Sequence, residues 1–166
     1  IDTTGNATNF GNTSYDRSSL GSCADATRAV WFGGQRSGLL NVIDYVTVAT
    51  LGNATDFGNL TLNLYYTSGC SDNSRGCIMG GEDGNATATS NFITIQTTGN
   101  AATYGSLATA RYRTISIADK TRGVTCGGAE PSKSNIMEYF TIQNSATAVD
   151  FGNLTVARDF IGGVAG

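Results

Sequence analysis

The sequence predicts an all-β protein built from 47-residue repeats of four short antiparallel strands, forming blades of the β-propeller type. Three observations carry this reading. Pairs of an aromatic residue and glycine, Phe10-Gly11, Phe57-Gly58, Tyr104-Gly105 and Phe151-Gly152, recur at one constant spacing without an insertion. A second block at 27–34, 74–81 and 121–128 keeps that spacing and ends each time in a diglycine. Aromatic and β-branched residues are plentiful, 22 glycines supply turns, and Pro131 is the single proline, a balance that favours short strands over helices. A unit of this length buries its apolar face only against its neighbours, so residues 1–166 read as one array. The array comprises a partial unit at 1–17, units at about 18–64, 65–111 and 112–158, and a partial unit at 159–166.

Each strand of the unit has its own signature. The first precedes the arginine block, as in Leu20-Gly21-Ser22-Cys23 and Thr114-Ile115-Ser116-Ile117. The second is the arginine-led apolar run closed by the diglycine, where glycine permits a chain reversal or a close backbone approach. The third is the β-branched and aromatic run at 41–48, 90–95 and 135–142, with Ile1 in the register of its end. The fourth is expected after the aromatic-glycine pair, where Leu60, Leu62 and Leu64 alternate with Thr61 and Asn63. A β-solenoid or a row of small stacked sheets is the alternative arrangement.

Composition excludes several functions. The formal charge is −3 and no Lys/Arg cluster forms a basic patch, which argues against nucleic acid as a partner. No apolar stretch approaches about 18 residues, so no membrane span is expected. The absence of histidine and of paired-thiolate spacing argues against zinc, and nothing calls for a cofactor. Cys70 and Cys77 flank a turn-rich segment and would face each other across a hairpin, either as a disulfide or as buried free thiols.

With no histidine, carboxylates are left as acid and base. Asp44 and Glu138 share one repeat position, with Asn91 between them, and are the candidate pair for glycoside hydrolysis. The competing reading is that they bond neighbouring strands. Arg28, Arg75 and Arg122 recur once per unit, either lining a channel for an anionic ligand or tying adjacent blades through carbonyls or Asp44-type carboxylates. Arg17, Arg111 and Arg158, with Leu64 substituting in the second copy, invite the same structural reading. Phe10, Phe57, Tyr104 and Phe151 are expected to be packing anchors at blade corners.

The loops after the diglycines differ between copies and carry Gln35 and Arg36, Glu82 and Asp83, then Glu130 and Lys133. Variable loops on a repeated scaffold are where recognition resides, and Tyr65, Tyr66 and Tyr112 nearby offer stacking faces for a glycan. Acceptor sequons stand at Asn6, Asn12, Asn53, Asn59, Asn85 and Asn153; most arise from the repeat itself, so their number is weak evidence for glycosylation.

The diglycine, the Ile-Asp-Tyr strand, and the following aromatic, leucine and arginine (Tyr104, Leu107, Arg111; Phe151, Leu154, Arg158) resemble a kelch-type blade. The wording Val-Ile-Asp-Tyr-Val-Thr-Val-Ala-Thr and Gly-Asn-Ala-Thr-Asp-Phe-Gly-Asn-Leu-Thr is similar to repeats in virion proteins of tailed bacteriophages, especially cyanobacterial phages. The resemblance implies adhesion or assembly; the function expected is that of a non-enzymatic structural or adhesive protein of a virion or extracellular appendage, its variable loops presented to a glycan or a host-surface protein. Four copies of the Phe-Gly half stand against three of the diglycine half, so self-association through incomplete terminal strands is expected. The alternative function is a carbohydrate-active enzyme using Asp44 and Glu138.

Overall fold

The computed structural model describes residues 5–163, which contain twelve strands and no helix. The strands form three four-stranded antiparallel sheets, each joined in chain order. The first holds β1 (Gly21–Ala24), β2 (Arg28–Phe32), β3 (Val42–Thr47) and β4 (Thr55–Asn59). The second holds β5 (Ser68–Ser71), β6 (Arg75–Glu82), β7 (Ala86–Thr94) and β8 (Ala102–Ser106). The third holds β9 (Ile115–Ala118), β10 (Arg122–Cys126), β11 (Ile136–Thr141) and β12 (Val149–Asn153). The register assigned to Ile1 lies outside the described residues.

The hairpin between first and second strands is set by an aspartate. Asp25 Oδ1 accepts the amides of Thr27 and Arg28, both at 2.7 Å, and Asp72 and Asp119 cap the corresponding turns in the same way. The diglycine turns back at a residue in the left-handed region, with φ of 64°, 59° and 62° at Gly33, Gly80 and Gly127. A side chain there would strain the backbone and strike the carbonyl of Leu64, Arg111 or Arg158.

The sheets stack as blades. Their first strands adjoin, β1 against β5 and β5 against β9, and together they enclose no closed barrel among the described residues. Two cores fill the spaces between sheets. Val30, Phe32, Ile43 and Phe57 of the first sheet pack against Ile78, Ile93, Ile95 and Ala101 of the second. One repeat later, Cys77, Met79 and Tyr104 pack against Phe140, Ile142 and Ala148. The middle sheet is therefore apolar on both faces, and burial of each large side chain contributes about 1.5–3 kcal/mol.

The fourth strand differs from the sequence expectation. It contains the aromatic-glycine pair rather than following it, and 60–64 forms a crossing segment whose Leu60 and Leu64 amides bond to Asn41 and Leu40 carbonyls. The alternation of leucine with polar residues there reports burial against adjacent sheets, with Leu60 and Leu64 inside, instead of a ladder. A glycine inside a strand is accommodated because the β3–β4 pairing carries a register shift between Ile43 and Asp44. Phe57 and Tyr104 accordingly sit as packing anchors between sheets.

Candidate functional site

Adjacent units meet at a repeated backbone joint. The Phe57 and Asn59 carbonyls accept the amides of Gly99 and Ala101, and the Asn59 amide donates to Asn100 Oδ1 at 3.0 Å. The same bonds join Phe10 and Asn12 to Gly52, Ala54 and the Asn53 side chain. At the next joint the Ser106 carbonyl accepts Ala148 N–H. Glycine is required at the centre because the partner backbone lies where a Cβ would be: Gly11 faces the Gly52 carbonyl, Gly58 that of Gly99 and Gly105 that of Ala146. Their φ angles of 148°, 144° and 156° are themselves outside ordinary side-chain territory.

A buried polar contact accompanies each joint. Arg17 and Asp44 form a fully buried ion pair at 2.7 Å, and Ser14 Oγ donates to Asp44 Oδ1 at 2.6 Å. Arg111 approaches Glu138 at 3.4 Å, while the Ala108 and Thr109 amides donate to that carboxylate at 3.1 Å each. At the middle joint both charges are absent: Leu64 replaces the arginine and Asn91 the carboxylate, with Thr61 donating to Asn91 Oδ1. Burial lowers the pKa of the Arg17 and Arg111 guanidinium groups, against which the facing carboxylates act. Asp44 and Glu138, the candidate catalytic pair, are thus each engaged by a separate arginine inside the protein.

Arg28 and Arg75 make the ties expected of the structural reading, but through carbonyls alone. Arg28 Nη1 donates to Ile95 O at 2.9 Å and Arg75 Nη1 to Ile142 O at 3.1 Å, each guanidinium lying 4.3 Å over the ring of Tyr45 or Phe92. The Asp44-type carboxylates go to Arg17 and Arg111 instead. Arg122 stacks on Tyr139 at 4.6 Å and is exposed.

The third sheet presents an unfilled copy of this joint, and the first sheet an outer face that segment 10–17 covers only in part. Phe57 and Tyr104 are 3% and 2% exposed, whereas Phe151, at the same repeat position, is 49% exposed. A Cβ at Gly152 would meet nothing closer than Met137 Cε at 3.9 Å. Arg158 is exposed and bonds only the nearby Val156 carbonyl. On the opposite face of the stack, Trp31, Val46, Val48 and Ala54 occupy the positions of buried Ile78, Ile93, Ile95 and Ala101, and they line a hollow of about 400 Å³ partly covered by Phe10.

The variable loops lie together at another end of the stack. Each is a tight turn bridged to the segment that enters the unit: Gln35 with Ser18, Glu82 with Tyr65, and Ala129 with Tyr112. Gln35, Arg36, Asp83, Glu130 and Lys133 are exposed and Glu82 is half-buried. A hydrogen bond to the Glu82 carboxylate holds the Tyr65 phenol proton and pushes its pKa up to about 12. Tyr65, Tyr66 and Tyr112 do gather here, with ring centroids 4.4 and 6.2 Å apart. Arg113 and Phe160 join them, two residues that no sequence signal had singled out.

Cys70 and Cys77 face each other across β5 and β6, and both are free buried thiols, as are Cys23 and Cys126. Burial pushes the Cys77 thiol up to about 12, so these groups are unreactive protonated hydrophobes. All six sequon asparagines are exposed. Among the described residues no cluster of three His, Cys, Asp or Glu side chains is placed to hold a metal ion, and no helix is long and apolar enough to cross a membrane.

No family model and no curated protein matches the chain.

Proposed function

We propose that the chain is a non-enzymatic structural and adhesive repeat protein of a virion or extracellular appendage, extended by docking of one copy on the next. The observation that carries this reading is the repeated joint, formed at Gly11, Gly58 and Gly105 and open at Gly152. The open faces have complementary chemistry. The Phe151 side offers an aromatic ring, a bare glycine and an arginine, while the Trp31 side offers an apolar hollow, with Asp44 behind it held by Arg17 of the resident segment 10–17. A second copy is the occupant that carries both halves. The burial of Asp44 and Glu138 in ion pairs favours this reading over the carbohydrate-active enzyme, and the similarity of the repeat wording to tailed-phage virion repeats supports the virion setting. The loop-bearing end is then the surface presented to a glycan or a host-surface protein.

Sedimentation of the 166-residue chain tests the assembly. The weight-average mass is expected to rise with concentration, and a monomer that persists at about 100 µM, where even a weak interface should be populated, overturns it. A glycan array read alongside a hydrolysis assay separates the two functions: binding without turnover supports adhesion.

A further inference from the structure

One repeat position is held in a backbone conformation that its side chains disfavour. Ser19, Tyr66, Arg113 and Phe160, each one unit apart, have φ of 60°, 54°, 57° and 52°. The left-handed region disfavours residues with a side chain, and such strain gathers where a surface is shaped for contact. A ladder running through the stack holds them: Tyr66 N–H donates to Ser19 O at 2.8 Å, Arg113 N–H to Tyr66 O at 3.0 Å, and Phe160 N–H to Arg113 O at 3.2 Å. The side chains are thereby brought side by side. The Arg113 guanidinium lies 4.7 Å from the Tyr66 centroid, 4.8 Å from Tyr112 and 4.5 Å from Phe160, and the Tyr66 and Phe160 rings meet edge to face at 5.5 Å.

Beside this cluster is a cavity of about 300 Å³, open to solvent and lined by Tyr66, Thr67, Arg113, Thr114 and Phe160 among others. Two polar atoms of its lining residues, Thr67 Oγ1 and Arg113 Nε, are buried and have no partner among the described residues. A buried polar atom without a partner is costly, a cost that a ligand hydroxyl would recover. Arg113, at 3.7 Å, and Lys133, at 3.3 Å, share the single carboxylate of Asp159, while the nearby Glu82 carboxylate is taken up by the Tyr65 phenol.

We propose that this cavity binds a short acidic oligosaccharide of the uronic-acid type. A pyranose face packs on the Phe160 and Tyr66 rings, its hydroxyls meet Thr67 Oγ1 and Arg113 Nε, and its carboxylate lies at the Arg113–Lys133 rim. This gives the adhesive reading a ligand class and rests on it, but is independent of the assembly.

Titration calorimetry with tri-galacturonate and with a neutral galactose trisaccharide tests the site on the intact chain, with circular dichroism as the check on folding. Phe160→Asn and Arg113→Asn are the informative variants, because asparagine tolerates the left-handed backbone. The acidic probe is expected to bind more tightly than the neutral one and to weaken with salt. Phe160→Asn should lower affinity for both by about tenfold, and Arg113→Asn should bring the acidic probe down to the neutral level. Equal affinity for both probes in the native chain, or binding indifferent to Phe160→Asn, overturns the site while leaving adhesion through the loops. Absence of binding by every glycan on the array overturns both.

Discussion

Leu64 and Asn91 occupy the same places as Arg17 and Asp44 or Arg111 and Glu138, so one chain displays the joint both with and without its ion pair. Both charges are lost together at the middle joint, as burial demands: a lone guanidinium or carboxylate there would be stranded. The expected outcome of Arg111→Leu is a loss of about 3–5 kcal/mol, and Glu138→Asn added to it should restore most of that stability. A double-mutant cycle in urea measures the coupling, and simple additivity would show that the two side chains act independently. Charge matching between positions 64 and 91 was a signal available in the sequence. It was obscured because Arg28 and its equivalents seemed equally able to reach the carboxylate, a choice that only the path of segment 13–17 decides.

At the scale of the element, the fourth strand is defined by what lies across from it. Gly58 has the Gly99 carbonyl in the space of its missing side chain, whereas Gly152, in the same strand position, has open space. Gly58→Ala is expected to cost about 2–4 kcal/mol, combining backbone strain with a broken joint, and Gly152→Ala only about 1 kcal/mol. Equal losses in chemical denaturation would mean that the joint contributes nothing. The turns carry a second tie between units. Asp25 bonds the Gln96 side chain of the next unit and Asp72 bonds Gln143. Partial burial alone would raise these carboxyls, but hydrogen bonds from the glutamines and turn amides outweigh it and hold both below 3.8. Because the folded pKa is depressed, the stability they contribute is present above pH 3.8 and disappears as pH falls through the folded value. The melting temperature should therefore drop below about pH 4, and less steeply in Asp25→Asn/Asp72→Asn.

The whole molecule is a stack whose period was legible because the joint cannot tolerate a side chain: a steric demand leaves a glycine at every copy. The all-β class and three of the four strands followed from the same register. The fourth strand was displaced by about five residues because alternating leucines imitate a ladder. Of the cluster at Tyr66, Arg113 and Phe160, the sequence pointed to Tyr66 alone, since a shared backbone conformation bears unlike side chains at each copy. Residues 10–17 occupy the place that a docked copy would give to Phe151 and the residues following it, with Arg17 on Asp44. Removal of residues 1–17 is expected to promote association, as Asp44 then awaits Arg158 from another copy. Trp31, the single tryptophan, would report it by a blue shift in emission as the hollow is covered. Unchanged emission and mass in the shortened chain would argue that the faces do not meet.

The Phe10-Gly11-Asn12 segment also sets a tempo. Under the proposed docking, an incoming Phe151-Gly152-Asn153 would have to wait for its resident twin to peel away, so the gate on elongation would be an opening event within a single chain and not the meeting of two. Elongation should then level off at high protein concentration, at a ceiling equal to the rate of peeling, and Arg17→Ala should lift that ceiling.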